Sequence, residues 1–142
     1  MPTNDVLPLP EGGADGTELG SVSCLGLAHV GDAVYELLVR TRLCLGGTLT
    51  AESLHRRTVA LVRAEAQSRA AGVIAPLLTD AEAAVFRRGR NAHSHAAPHG
   101  AKSGDYHAAT GLEALFGWLY LTGREARARE LFDRIMETED AT

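Results

Sequence analysis

One stretch of the sequence, from Leu25 to Leu43, constrains the fold more than any other. Its residues, LGLAHVGDAVYELLVRTRL, are apolar around nearly the whole circumference of a helix, and such a helix is normally buried in the middle of a domain. Its polar residues recur at spacings that put them on one narrow face, and they are His29, Asp32, Glu36 and Arg40. Because an unpaired buried charge is costly, this stripe must face a partner, a metal ion or a wet cleft.

A second stretch, from His107 to Leu121, has the same design. Its residues, HAATGLEALFGWLYL, are again apolar nearly throughout, and the polar residues Thr110 and Glu113 share one face. Two glycines leave room for another helix to pack closely, Gly111 and Gly117. Two buried helices that each carry an acid on a polar face predict that Asp32 and Glu113 meet. Oxygen ligands of this kind suit Mg²⁺ or Mn²⁺.

The composition favours an all-α fold. The chain has 142 residues, enough for one domain, and it is 45% hydrophobic but only 5% aromatic. Plentiful Ala and Leu favour helices over a β sandwich, and no stretch alternates as a strand would. We expect a flexible N-terminal tail over residues 1–20, where Pro, Gly and acidic residues cannot build a core. After this tail we expect one helical domain over residues 21–138 and a frayed tail over residues 139–142.

Capping residues divide the rest of the chain into helices. Ser21 or Ser23 can cap the first helix, and Thr50 can cap the second. Thr79 and Glu82 form the capping box of the third, because each side chain can satisfy a backbone N–H at the helix start. The helices predicted after the first stretch run over Ala51–Ala71, from Thr79 to about Arg88, and over Arg124–Glu137.

The loop predicted from Arg87 to about Gly104 has the most unusual composition in the chain. It combines arginines and glycines with histidines, and four of the six histidines lie in it or just beyond it. A solvated loop, a histidine metal site and an RNA-contacting loop are all open interpretations. The last is favoured, because guanidinium groups bind phosphates bidentately and Asn, Ser and His can hydrogen-bond 2′-hydroxyl groups. The candidate RNA-binding residues are Arg87, Arg88, Arg90, Asn91, His93, Ser94 and Lys102.

Charge and cysteine content limit the setting in which the chain works. A net charge of −4 is not the basic excess usual for a nucleic-acid-binding protein, so RNA binding would need local basic patches. Cys24 and Cys44 show no metal-binding spacing and are expected to be reduced core residues. No apolar run approaches the ~20 residues of a membrane span, and the acidic N-terminus does not read as a secretory signal. A cytoplasmic location is therefore expected.

Three motifs follow one another along the chain, LAHVGDAVYELLVR, FRRGRNAHS and YHAATGLEALFGWLYL. In this order they resemble Mini-ribonuclease III, the small bacterial branch of the ribonuclease III family without a double-stranded-RNA-binding domain. The resemblance covers roughly Leu25 to Arg134. It implies an all-α, homodimeric endonuclease domain of the ribonuclease III type over residues 21–138.

The resemblance also implies a reaction and a site. The expected activity is hydrolysis of double-stranded RNA, in particular precursor large-subunit ribosomal RNA, to 5′-phosphate and 3′-hydroxyl ends. Asp32 and Glu113 take the catalytic and metal-ligand roles, with Mg²⁺ as cofactor and Mn²⁺ as a substitute. Glu36 and Thr110 are expected just outside the metal ligands. Large side chains near the end of the second helix fit a dimer interface, namely Trp118, Tyr120 and Leu121.

The chain also departs from the larger ribonuclease III enzymes. These carry further acids at the positions of Leu25, Ala28 and Thr110, so only two acid ligands remain in each subunit here. Three other interpretations stay open. They are a catalytically silent RNA-binding domain of the same fold, a helical metal-binding protein that uses the histidines, and an all-helical interaction module.

Overall fold

The computed structural model describes residues 19–47, 49–92 and 103–141, and these ranges are helical without any strand, as the composition predicts. The described ranges contain six α-helices and one short 3-10 helix, Ala75–Leu77. The α-helices are α1 (Cys24–Leu45), α2 (Ala51–Val62), α3 (Ala64–Ile74), α4 (Asp80–Asn91), α5 (Ser103–Leu121) and α6 (Glu125–Asp140). None of these helices is long and apolar enough to cross a membrane.

The predicted helix caps are confirmed. The Ser23 hydroxyl accepts a hydrogen bond from the Gly26 amide at 2.9 Å, and the Thr50 hydroxyl accepts from the Ser53 amide at 3.1 Å. The Thr79 and Glu82 side chains each accept from the other's backbone N–H, which completes the capping box of α4. Local spacing alone therefore sets where α1, α2 and α4 begin.

The single helix predicted over Ala51–Ala71 is wrong, because the chain breaks at Arg63. The backbone of Arg63 is extended, with φ −69° and ψ 161°, and it separates α2 from α3. The helix after the break, α3, continues past the predicted end at Ala71 to Ile74. The break changes the direction of the chain, so that α3 packs against α5.

Two other boundaries differ from those predicted. The helix α4 continues to Asn91, so the start of the predicted loop is helical. At the C-terminus, α6 continues to Asp140 and includes part of the predicted frayed tail. Two ion pairs explain this, because Glu139 lies 3.7 Å from Arg69 and Asp140 pairs with Arg42.

The helix α5 lies at the centre of the fold and packs against α1, α3, α4 and α6. Its Phe116 ring meets the buried Tyr35 ring of α1 edge to face, with centroids 5.1 Å apart, and Tyr35 meets Phe132 of α6 in the same way at 5.6 Å. By contrast, α1 keeps one face open, on which Leu25 and Leu37 are 44% and 45% exposed. The face of α1 that is open to solvent therefore includes apolar residues as well as the predicted polar stripe.

The two cysteines are free thiols, as expected, but they are not both core residues. Cys24 is partly buried, and Cys44 is exposed near the end of α1. The expectation of a buried Cys44 is wrong because its position falls on the open face of α1.

Candidate active site

Glycines bring the backbones of α1 and α5 into direct contact. A Cβ atom on Gly31 would lie 1.6 Å from the carbonyl oxygen of Glu113, and one on Gly117 would lie 2.0 Å from the carbonyl oxygen of Leu27. Neither distance is possible for a side chain, so only glycine permits this approach. Asp32, next to Gly31, therefore comes to lie beside the helix that carries Glu113.

A second glycine contact joins α4 to α5. A Cβ atom on Gly89 would lie 2.5 Å from the Cβ of Ala114, and one on Gly111 would lie 2.8 Å from the Phe86 ring. Gly89 is therefore a packing residue within α4, and its predicted role as a loop residue is wrong. The close packing predicted at Gly111 and Gly117 is present at both positions.

The carboxyl groups of Asp32 and Glu113 lie close enough for Asp32 to act on the ionisation of Glu113. Asp32 is exposed, whereas Glu113 is partly buried. Burial, and then the charge of Asp32, raise the pKa of Glu113 to about 8. The metal-free protein therefore holds a proton on Glu113 near neutral pH, because two like charges so close cannot both be ionised at low cost.

No cation in the described part of the chain neutralises this acid pair. Arg40, the arginine on the same helix face, is paired with Glu36, and its Nε donates to the Glu36 carboxylate at 2.8 Å. No described group of three or more His, Cys, Asp and Glu side chains comes together as a metal site. The site is thus a pair of acids without a counter-ion, which fits a divalent cation that keeps much of its water.

A residue that sequence reasoning missed borders the acid pair. Gln67, on α3, is 1% exposed, and its amide lowers the pKa of Glu113. Its Nε2 atom nevertheless has no described partner in hydrogen-bonding geometry, so the two groups are close neighbours without a formed hydrogen bond. The sequence feature that could have indicated this residue is a single amide side chain among the alanines of AEAQSRAA.

Thr110, expected just outside the metal ligands, is buried one turn from Glu113. Its hydroxyl donates to the backbone carbonyl of Tyr106 at 3.0 Å. The Thr110 hydroxyl hydrogen is therefore already donated to a backbone carbonyl within α5. The other residue expected there, Glu36, lies one turn from Asp32 and is paired with Arg40.

The predicted RNA-binding residues that the structure describes lie in the last turns of α4. Arg87, Arg88, Arg90 and Asn91 are all exposed, and none of the three arginines forms an ion pair with another described residue. The Arg90 guanidinium lies 5.9 Å from the centre of the Phe86 ring. His93, Ser94 and Lys102 lie outside the described residues.

Comparison with known proteins identifies the family. A model of the ribonuclease III domain matches residues 25–124. Mini-ribonuclease 3 of Symbiobacterium thermophilum is 46% identical over 107 residues, which cover 75% of this chain and 82% of that protein. Mini-ribonuclease 3 of Synechocystis sp. is 41% identical over 128 residues, covering 90% and 87%. A crystal structure of a Fusobacterium nucleatum protein is similar with a TM-score of 0.75 and 28% identity, covering 81% of this chain and 93% of that one.

The helical fold and the family match together define a ribonuclease III domain. The chain belongs to the ribonuclease III family, in its Mini-ribonuclease III branch. It is an endoribonuclease of a family that acts on double-stranded RNA with divalent metal ions.

Proposed function

We propose that this endoribonuclease matures precursor large-subunit ribosomal RNA in the cytoplasm. It hydrolyses phosphodiester bonds in a duplex region and leaves 5′-phosphate and 3′-hydroxyl ends. Mg²⁺ is the cofactor, Mn²⁺ can replace it, and Asp32 and Glu113 are the ligands. The observation that carries this proposal is the meeting of these two carboxyl groups without a counter-ion.

The two acids have different tasks because their surroundings differ. Asp32 is exposed and lies where an RNA phosphate can approach from solvent. Glu113 is partly buried on the most enclosed helix of the fold, so its carboxyl has little freedom to move. Asp32 and Glu113 would hold the divalent cation, which would supply a water of lowered pKa and neutralise charge on the phosphate. The acids therefore fix the place of cleavage on the protein surface.

The exposed end of α4 is the proposed RNA contact. Arg87, Arg88 and Arg90 offer planar cationic groups to phosphates, and Asn91 can hydrogen-bond a ribose hydroxyl. The helix α4 packs on α5 through Gly89 and Gly111. The basic end of α4 therefore lies against the helix that contains Glu113.

We also propose a homodimer, but its surface differs from the one expected. Tyr120 is buried within the chain, Trp118 and Leu121 are partly buried there, and the Trp118 ring lies under Arg124 at 4.8 Å. These side chains therefore already pack within one subunit. Leu25 and Leu37 are exposed on the open face of α1, and this face is the better candidate for contact with a second subunit.

The decisive experiment is cleavage of a long RNA duplex and of a precursor large-subunit ribosomal RNA transcript with Mg²⁺. The wild type is compared with Asp32→Asn and Glu113→Gln, and Asp133→Asn, an exposed acid on α6, is the matched control. We expect both site variants to bind RNA but to lose ~10²- to 10³-fold in rate, in line with the loss of a charge-stabilising group. Equal cleavage by all four proteins would contradict the site. Binding without cleavage by the wild type would instead favour the silent RNA-binding domain.

The RNA contact is tested separately in the inactive Asp32→Asn background. Replacing Arg87, Arg88 and Arg90 together by Ala should weaken duplex binding and reduce the slope of affinity against salt by about one for each phosphate that is no longer neutralised. Arg134→Ala, which removes an exposed arginine on α6, is the control and should leave the slope unchanged. An unchanged slope in the triple variant would exclude this end of α4 as the RNA-binding surface.

A further inference from the structure

One buried side chain near the acid pair, Gln67, has an amide nitrogen without a hydrogen-bond partner among the described residues. Gln67 is 1% exposed. Other buried polar side chains differ in this respect, since the hydroxyls of Thr58 and Thr110 donate to carbonyls of their own helices. Because nearly all buried polar groups in native proteins are paired, an exception of this kind needs an explanation.

The helix break at Arg63 brings Gln67 to this place. The helix α3 begins after the break, and its Ala70 and Ile74 enter the same core as residues of α5. Gln67, one turn before Ala70, is therefore carried inward with the apolar face of α3. There its amide lies beside the Glu113 carboxyl group.

We propose that Gln67 is a positioning residue whose Nε2–H group donates to one oxygen of the Glu113 carboxylate when a divalent cation is bound by the other. This inference rests on the metal site proposed above. A carboxylate is acceptor-only and has two oxygens, so the amide and the cation do not compete for the same atom. The unpartnered donor is then satisfied in the metal-loaded protein, and the rotation of the Glu113 carboxylate is fixed.

The first test is Gln67→Met, which keeps the length of the side chain and removes the donor. Titration of the full chain with Mn²⁺ alone should show affinity about 10-fold weaker than in the wild type, as for other groups that orient a metal ligand. On duplex RNA at fixed metal, kcat should fall while the KM for RNA stays unchanged. The metal-free Tm should equal or exceed that of the wild type, because an unpartnered buried donor has been removed.

Gln67→Leu repeats the test with a different apolar shape, and Thr58→Val removes a buried, already paired hydroxyl as the control. Thr58→Val should lower the Tm without changing Mn²⁺ affinity. In a Glu113→Gln background, Gln67→Met should cause no further loss of cleavage, because the carboxylate on which it acts is absent.

Two results would overturn the positioning role. One is unchanged Mn²⁺ affinity and kcat in both Gln67 variants, and the other is a metal-free Tm far below wild type in both, which would make Gln67 a packing residue. Asp32→Asn separates this failure from failure of the metal site itself. If Asp32→Asn loses Mn²⁺ binding while the Gln67 variants keep it, only the role of Gln67 is wrong. If Asp32→Asn keeps full affinity, the metal site is wrong as well.

Discussion

Glu82 and Glu113 are both shielded from water on helices, but Glu82 faces a cation and Glu113 faces another acid. Glu82, 6% exposed in its side chain, receives two 2.9 Å hydrogen bonds from the Arg127 guanidinium, at the carboxylate oxygens Oε1 and Oε2. These bonds, which outweigh the effect of burial, lower the pKa of Glu82. Glu113 faces another acid, and burial together with Asp32 raises its pKa to about 8.

The difference separates a structural acid from the acid that we propose as a metal ligand. Arg127 also donates to the Leu77 carbonyl at 2.8 Å, so the Glu82 cluster is complete and connects α6 to the start of α4. The Glu113 cluster is incomplete in the metal-free protein, since it holds two acids and an unpartnered amide. Incomplete, strongly perturbed clusters are where catalytic and metal-binding groups are found, and they persist because the rest of the fold holds them in place.

The largest effect is expected at the backbone contact between α1 and α5, which holds Glu113 in place. Gly31→Ala puts a Cβ 1.6 Å from the Glu113 carbonyl oxygen, so α1 and α5 must separate. We expect a loss of roughly 3 kcal/mol or more in the free energy of unfolding, at or beyond the upper end of ordinary overpacking, measured by urea denaturation.

Gly72→Ala is the matched control for this change, because Gly72 lies inside α3 and a Cβ there meets nothing within 4 Å. It should stabilise the protein by up to about 1 kcal/mol through helix propensity. A cost below about 1 kcal/mol for Gly31→Ala would contradict the close backbone contact.

The second largest effect is expected when Glu82 loses its ion-pair partner, Arg127. Arg127→Met leaves Glu82 buried without its cation, and we expect a loss of about 2–3 kcal/mol, below the cost for a fully buried pair. The pKa of Glu82 is lowered in the folded state, so its contribution is present above the unfolded value of 4.5 and is lost as the pH falls through the folded value. The stability difference between wild type and variant should therefore shrink in acid.

Cleavage of duplex RNA by Arg127→Met should be retained at temperatures where the variant is folded, because this cluster lies outside the acid pair. Arg134→Met removes an exposed arginine that lies 3.6 Å from Glu137 and should cost less than about 0.5 kcal/mol. Loss of cleavage in a folded Arg127→Met protein would show that the two clusters are not separate in function.

The sequence predicted the features that depend on local spacing or on a face of one helix. The caps at Ser23, Thr50 and Thr79 follow from side chains near the helix starts. The meeting of Asp32 and Glu113 follows from one acid on each of two apolar helices that also carry small residues. Glycines at positions 31 and 117 then make the approach close.

Features set by distant contacts could not be predicted in this way. The break at Arg63 has no glycine, proline or capping side chain to mark it, and its N-cap makes no side-chain hydrogen bond. The partner of Glu82 lies 45 residues further along the chain. Gln67 acquires its place only because of that break, so its relation to Glu113 is a property of the tertiary fold.

The central claim is that Glu82 is a structural acid and Glu113 a functional one, and the same substitution tests both. The free energy of unfolding of metal-free Glu82→Gln and Glu113→Gln is compared with wild type at about pH 9 and about pH 5. Because the pKa of Glu113 is raised when folded, its ionisation costs stability as the pH rises from 4.5 to about 8.

The account predicts changes of opposite sign at the higher pH. Glu82→Gln should destabilise by about 1–2 kcal/mol. Glu113→Gln, which stays neutral, should stabilise by up to about 4 kcal/mol, with the gain falling below about 1 kcal/mol near the lower pH. Destabilisation by both substitutions at the higher pH would contradict the account, because Glu113 would then be a structural acid like Glu82.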